Sequence, residues 1–214
     1  MDSFREKRPR RPSLPFVPFR TTPAMARLRT FIAVEATAEI RSAGQRLVHK
    51  LSQTTAEVRW VDTENIHLTL KFLGEVDERE IHRVCQKAGA AAHACEPFQI
   101  TCSTAGAFPS PDRPRTIWMG VNDDQGRLSQ VQQRIEEALG QLGFPPEPRK
   151  FHGHLTLGRI RYNRRGDDAL RRLLEAEKNT EFGVLPVHEV VVFSSELSSR
   201  GPAYTVLGRC PFGH

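Results

Sequence analysis

Apolar residues recur along this chain with two different periods, and the two take turns. Residues 29–35 are a short apolar run. Thr37 follows as a helix N-cap, and Ile40, Ala43, Leu47 and Leu51 fall at helical spacing over residues 38–53. Residues 58–61 read as a short strand and 65–75 as a longer alternating one. A second helix is expected over 77–95, with Ile81, Val84, Ala88 and Ala91 on one face. Residues 98–108 and 115–121 read as strands around a turn cluster at 109–114, with Gly106 marking a bend or bulge. A third helix spans 123–142 and ends at Gly143 as its C-cap. After a stiff loop with Pro145, Pro146 and Pro148 come a strand at 154–162, a charged helix at 167–178, and strands at 187–193 and 203–207.

Residues 1–26 stand outside this rhythm. They are rich in Arg and Pro and read as a flexible basic arm. Met25, directly before the first regular element, is an alternative start. The expected organisation is therefore the arm at 1–26, a folded domain at 27–210 and a short C-terminal tail at 211–214.

One tetrapeptide repeats. His-Leu-Thr-Leu occurs at 67–70 and again at 154–157, each time after a strand–helix segment and before a helix and a further strand. The spacing is too long for a solenoid and suits two related lobes. On a strand, alternate side chains share a face. His67 and Thr69 therefore share one face and Leu68 and Leu70 the other; His154 and Thr156 stand likewise against Leu155 and Leu157. Each motif offers an apolar side to bury and an imidazole beside a hydroxyl on the open side. If the lobes are related by a pseudo-twofold axis, the open faces meet across a groove. That set suits in-line displacement at phosphorus. One imidazole takes a proton from water, the other gives one to the leaving oxygen, and the hydroxyls donate to the non-bridging oxygens.

Composition narrows the choice further. The 214 residues are 38% hydrophobic and 26% charged, enough apolar material for a core. A net charge of +6 favours polyanionic partners without dictating one. The four cysteines, Cys85, Cys95, Cys102 and Cys210, form no CxxC pair and read as reduced thiols, and no carboxylate cluster has metal-ligand spacing. No metal and no cofactor is expected. No apolar run approaches the roughly 20 residues that span a bilayer, so a cytoplasmic, membrane-free protein is expected, as a monomer.

The paired HLTL motifs, with Trp60-Val61 and Asn65-Ile66 before the first and Lys71-Phe72-Leu73-Gly74-Glu75 after it, resemble those of the two-histidine phosphoesterases. The likeness is to the RNA 2′,3′-cyclic phosphodiesterase branch, also called bacterial and archaeal 2′-5′ RNA ligases. It extends through Pro97-Phe98, Gly106–Pro109, Trp118, the stretch before the second motif, Ser195-Glu196-Leu197 and Tyr204, and covers about residues 27–210. The resemblance implies an α+β, bilobal fold with two pseudo-symmetric antiparallel sheets flanking a central groove and helices outside. It implies His67 as proton donor, His154 as proton acceptor, Thr69 and Thr156 on the phosphate oxygens, and a 2′-phosphomonoester product. The partners it implies are RNA ends bearing a 2′,3′-cyclic phosphate, tRNA fragments among them. One position departs from the family pattern: Gly153 stands where proline usually precedes the second histidine, and His152 stands before it.

Beyond the two motifs the residues leave alternatives open. Arg149 is the preferred phosphate contact, with Arg115 and Arg159 as further candidates; each also reads as a solvated charge. Phe151 and Tyr204 suit base stacking or the core. The basic run from Arg159 to Arg165 suits an RNA backbone track or a solvated strand end. The rival functions are a 2′-5′ RNA ligase running the same chemistry backwards and an RNA-binding protein without turnover.

Overall fold

The computed structural model describes residues 26–162, 168–198 and 201–213. Apart from Ala26, the basic arm lies outside the described residues, as do Arg164 and Arg165 of the basic run. The elements follow in the order β1 (Arg27–Glu35), α1 (Ala38–Leu51), β2 (Glu57–Trp60), β3 (His67–Asp77), α2 (Ile81–His93), β4 (Phe98–Phe108), β5 (Thr116–Asn122), α3 (Arg127–Gly140), β6 (His154–Tyr162), α4 (Asp168–Ala176), β7 (Glu181–Val187), β8 (Glu189–Ser198) and β9 (Gly201–Pro211).

Local signals account for most of these boundaries. Thr37 caps α1, its hydroxyl accepting from the Ile40 N–H. The third helix begins four residues later than expected because Asp123 stays outside it and caps it, its carboxylate accepting the N–H groups of Leu128 and Ser129. That helix ends at Gly140, and Gly143 takes the left-handed turn beyond it at φ 88°. Gly106 marks no bulge. The register of β4 on β5 shifts between Cys102 and Ala105, where Thr104 has φ 68°. The expected strand over 187–193 is two strands, β7 and β8, broken at His188, and β7 is an edge strand that tolerates Pro186. Past residue 210 the chain stays packed: Phe212 is buried against Phe98.

The strands are antiparallel and run in the order β7-β4-β5-β6-β3-β1-β8-β9, with β2 also on β6. Two four-strand halves meet where β3 touches β6, and Leu68 and Leu155 are the register pair there. These two leucines hold the same place in the two motifs. Read outward from that junction, each half runs motif strand, then the strand before the preceding helix, then two further strands. The two expected sheets are thus halves of one ladder about a pseudo-twofold at Leu68–Leu155. Helix α2 packs on β8, β9 and α3, whereas α1 and α4 cover β7 and β4. Leu68, Leu70, Leu155 and Leu157 are buried beneath these helices, and each contributes roughly 1.5–3 kcal/mol by leaving water. That burial turns the opposite face of both motif strands toward the groove.

Candidate active site

Strands β3 and β6 have the same burial pattern over their first nine residues. In both, alternation holds through the fourth residue and then breaks. On β3, Leu70 is skipped in the register with β1, which passes from Thr69 opposite Ala33 to Lys71 opposite Ile32. On β6, Leu157 is skipped in the register with β5, which passes from Thr156 opposite Trp118 to Gly158 opposite Ile117. A bulge of this kind re-aims every side chain beyond it. It turns Lys71 inward and returns Phe72 and Arg159 to the face that carries the histidines and threonines.

The two histidines are held in the same way. The Nδ1 of His67 lies 2.7 Å from the carbonyl oxygen of Asn65, and the Nδ1 of His154 lies 2.7 Å from that of His152. A carbonyl only accepts, so Nδ1 carries the proton in both rings, and Nε2 is left for chemistry. The walls differ. His67 packs on Phe31 at 4.9 Å and edge-on to Tyr204 at 5.2 Å, above a small apolar cluster of Phe31, Ala33, Val191 and Phe193. His154 stands edge-on to Phe108 at 5.0 Å, with Trp118 and His152 beside it. Trp118 in turn lies flat on Gly106, its cross-strand partner, where a Cβ would come within 2.4 Å of the indole ring.

Burial pushes both imidazoles below their ordinary range. For His67 the hydrogen bond to Asn65 opposes this, and the charge of His154 adds to it. For His154 the hydrogen bond to His152 opposes it, and the charges of His152 and Arg159 add to it. The rings therefore sense each other, and the doubly protonated state is the costly one. A pair that takes up one proton more readily than two suits one acid and one base.

A cavity of about 510 Å³ lies between the halves, lined by His67, Thr69 and Thr156 together with Arg29, Phe31, Arg59, Trp60, Phe72, Arg159 and Tyr204. His154 does not line it; its ring stands against Phe108, Trp118 and His152. Of the candidates read from the sequence, Tyr204 and Arg159 are in the cavity wall. Arg149 is exposed on the loop before β6 and faces Glu147 at 3.7 Å. Arg115 is also exposed and outside the cavity, and Phe151 packs against the main core. Arg29, Arg59 and Phe72 were not singled out as site residues. Phe72 is 66% exposed and forms part of the cavity wall. Among the described residues no cluster of three or more His, Cys, Asp or Glu is placed to hold a metal ion.

Gly153 has a structural reason in this chain. A Cβ there would stand 2.7 Å from Val121 Cγ2 and 2.9 Å from Leu128 Cδ2. The space a proline ring would need is filled by its neighbours. Gly153→Pro is therefore expected to destabilise the fold by about 1–3 kcal/mol. Thermal unfolding checks this, and Val121→Ala in the same chain should recover part of the loss.

Comparison with known proteins agrees with the duplicated layout. A family model described as LigT-like phosphoesterase matches twice, at residues 34–118 and 120–204. The RNA 2′,3′-cyclic phosphodiesterase of Methanothermobacter thermautotrophicus is 35% identical over 179 residues, covering 84% of this chain and 96% of the relative. That of Aeropyrum pernix is 36% identical over 162 residues, covering 76% and 90%. Among solved structures, TT0787 of Thermus thermophilus superposes with a TM-score of 0.72 at 25% identity, over 86% of this chain and 97% of that one. E. coli LigT in apo form superposes with a TM-score of 0.68 at 25% identity, over 88% and 99%.

Proposed function

Because the chain belongs to the LigT-like phosphoesterase family, we propose that it is an RNA 2′,3′-cyclic phosphodiesterase working by acid–base catalysis from two histidines. The observation that carries this is the matched pair His67 and His154, each with Nδ1 tied to the carbonyl two residues back. The reaction follows from what the two Nε2 atoms and the hydroxyls can do. His154 takes a proton from water, and the water oxygen bonds to phosphorus. The bond from phosphorus to O3′ breaks, and His67 gives O3′ its proton, leaving a 2′-phosphomonoester. Thr69 and Thr156 donate to the non-bridging oxygens, and the Arg159 guanidinium adds positive charge to the same wall. No step in this scheme needs a metal ion.

Phe72 and Tyr204 supply apolar ring surface in the same cavity for a nucleobase. E. coli LigT, 26% identical to this chain, has been crystallised with ATP and with NADP+, which fits a nucleotide-sized groove. Arg115 and Arg149 would meet only RNA that extends past the cavity. One chain carries both histidines and both threonines, which fits action as a monomer. Among the described residues no helix is long and apolar enough to cross a membrane. The four unpaired thiols fit a reducing compartment such as the cytoplasm.

The reading is tested by incubating the purified protein, with EDTA present, with a short RNA ending in a 2′,3′-cyclic phosphate. Release of a 2′-phosphate end is expected. A 3′-phosphate end would reverse the assignment of the leaving oxygen, and dependence on added metal would remove the two-histidine scheme.

A further inference from the structure

Strand β2 pairs with the edge of β6 that β3 also touches, opposite β5, and Arg59 is the register partner of Arg159. Both side chains line the cavity. Like charges directly opposite each other on antiparallel strands repel. Among the described residues neither guanidinium has a hydrogen-bond or ion-pair partner. Asp62 lines the same cavity and pairs with neither. Such a pair is uncomfortable in the free protein and becomes favourable once a polyanion lies along it.

The two arginines are carried by different strands. Arg159 is on the motif strand itself, and its charge reaches both His154 and Tyr204. Arg59 stands beside it on β2, a step of about 4.8 Å across the strand pair. With Arg159 turned to the cyclic phosphate at the histidines, Arg59 is a second cation in the same cavity, one strand step away. A nucleoside 2′,3′-cyclic phosphate has only that one phosphate. An RNA end has another, in the phosphodiester joining the terminal nucleotide to the one before it.

Resting on the cyclic phosphodiesterase reading above, we propose that Arg59 holds this internal phosphodiester. The groove then reads at least two nucleotides and selects an oligoribonucleotide end over a free nucleoside cyclic phosphate.

The test compares kcat/KM on adenosine 2′,3′-cyclic phosphate and on a diadenylate ending in a 2′,3′-cyclic phosphate, for the wild type and Arg59→Gln. The ratio of the two values cancels any general loss of folded enzyme. The wild type should favour the dinucleotide about tenfold or more, the usual scale for a charge-assisted contact. Arg59→Gln should bring the ratio close to one, chiefly through KM. The dependence of kcat/KM on salt for the dinucleotide should weaken in the variant, since one phosphate contact has gone. Equal kcat/KM on both substrates in the wild type, or an unchanged ratio in Arg59→Gln, would overturn the inference and leave the activity standing. If the wild type opens neither substrate, the activity fails and takes the inference with it.

Discussion

Replacing either His67 or His154 by alanine is expected to lower kcat by about 10²-fold or more on an RNA ending in a 2′,3′-cyclic phosphate, the range for losing a general acid or base. The two losses should be far from additive in the double variant, because acid and base act in one step. The pH dependence is a sharper test. Burial pushes both imidazoles below the usual value of about 6.5. The base must be neutral, so activity falls as pH drops through its pKa. The acid must be protonated, so activity falls as pH rises through its pKa. The bell in kcat/KM should therefore be centred below about pH 6.5. In kcat the bell should lie higher, since the bound phosphate anion favours both imidazolium forms. Each single alanine variant should keep only one limb. Steady-state kinetics from about pH 4.5 to 8.5 would read all of this, and a bell surviving intact in His154→Ala would remove that residue from the chemistry.

Lys71→Ala is expected to cost about 3–5 kcal/mol of stability, the range for breaking a buried ion pair. The bulge on β3 carries Lys71 inward to 3% exposure. There its ammonium donates to Glu136 of α3 at 2.5 Å and to the carbonyl of Pro145 at 2.9 Å. Removing the cation leaves a nearly buried carboxylate without its partner. Urea unfolding should show the loss, and Lys71→Met with Glu136→Leu should recover most of it, because an apolar pair of similar volume fills the same space. If Lys71→Ala alone unfolded at the wild-type midpoint, the pair would carry no structural load. The contact ties the strand of the first histidine to the helix and loop that lead into the second.

The placement of the two His-x-Thr pairs was legible because it is local. A period of two over four residues is enough to set His67 beside Thr69 and His154 beside Thr156, and the leucines between them declare which side is buried. Phe72 was not legible in the same way. Strict alternation carries Lys71 to the groove face, and only a skipped residue in the pairing with β1 reverses this. A bulge depends on the partner strand and leaves no mark in the residues that undergo it. Arg59 was hidden for a similar reason, since it matters through a partner 100 positions away (159 minus 59). Arg149 stood out in the sequence by lying close to the second motif, yet its loop turns it outward to Glu147. Strand β7 was obscured by Gly183 and Pro186, residues that an edge strand accepts and a propensity argument rejects.

The junction at Leu68 and Leu155 also bears on how the enzyme tells left from right. A groove with true twofold symmetry would admit a nucleotide in either of two opposed poses, and each imidazole would spend half its encounters in the wrong role. Besides the different walls of the two histidines, the symmetry is broken at the fifth residue after each, phenylalanine at 72 and arginine at 159. Both face the same cavity, one offering a ring and the other a cation. A substrate with a flat base at one end and a charge at the other then has a single preferred heading. Under the proposed mechanism, a pair of side chains that take no part in moving a proton would then help assign the two near-identical motifs their different roles.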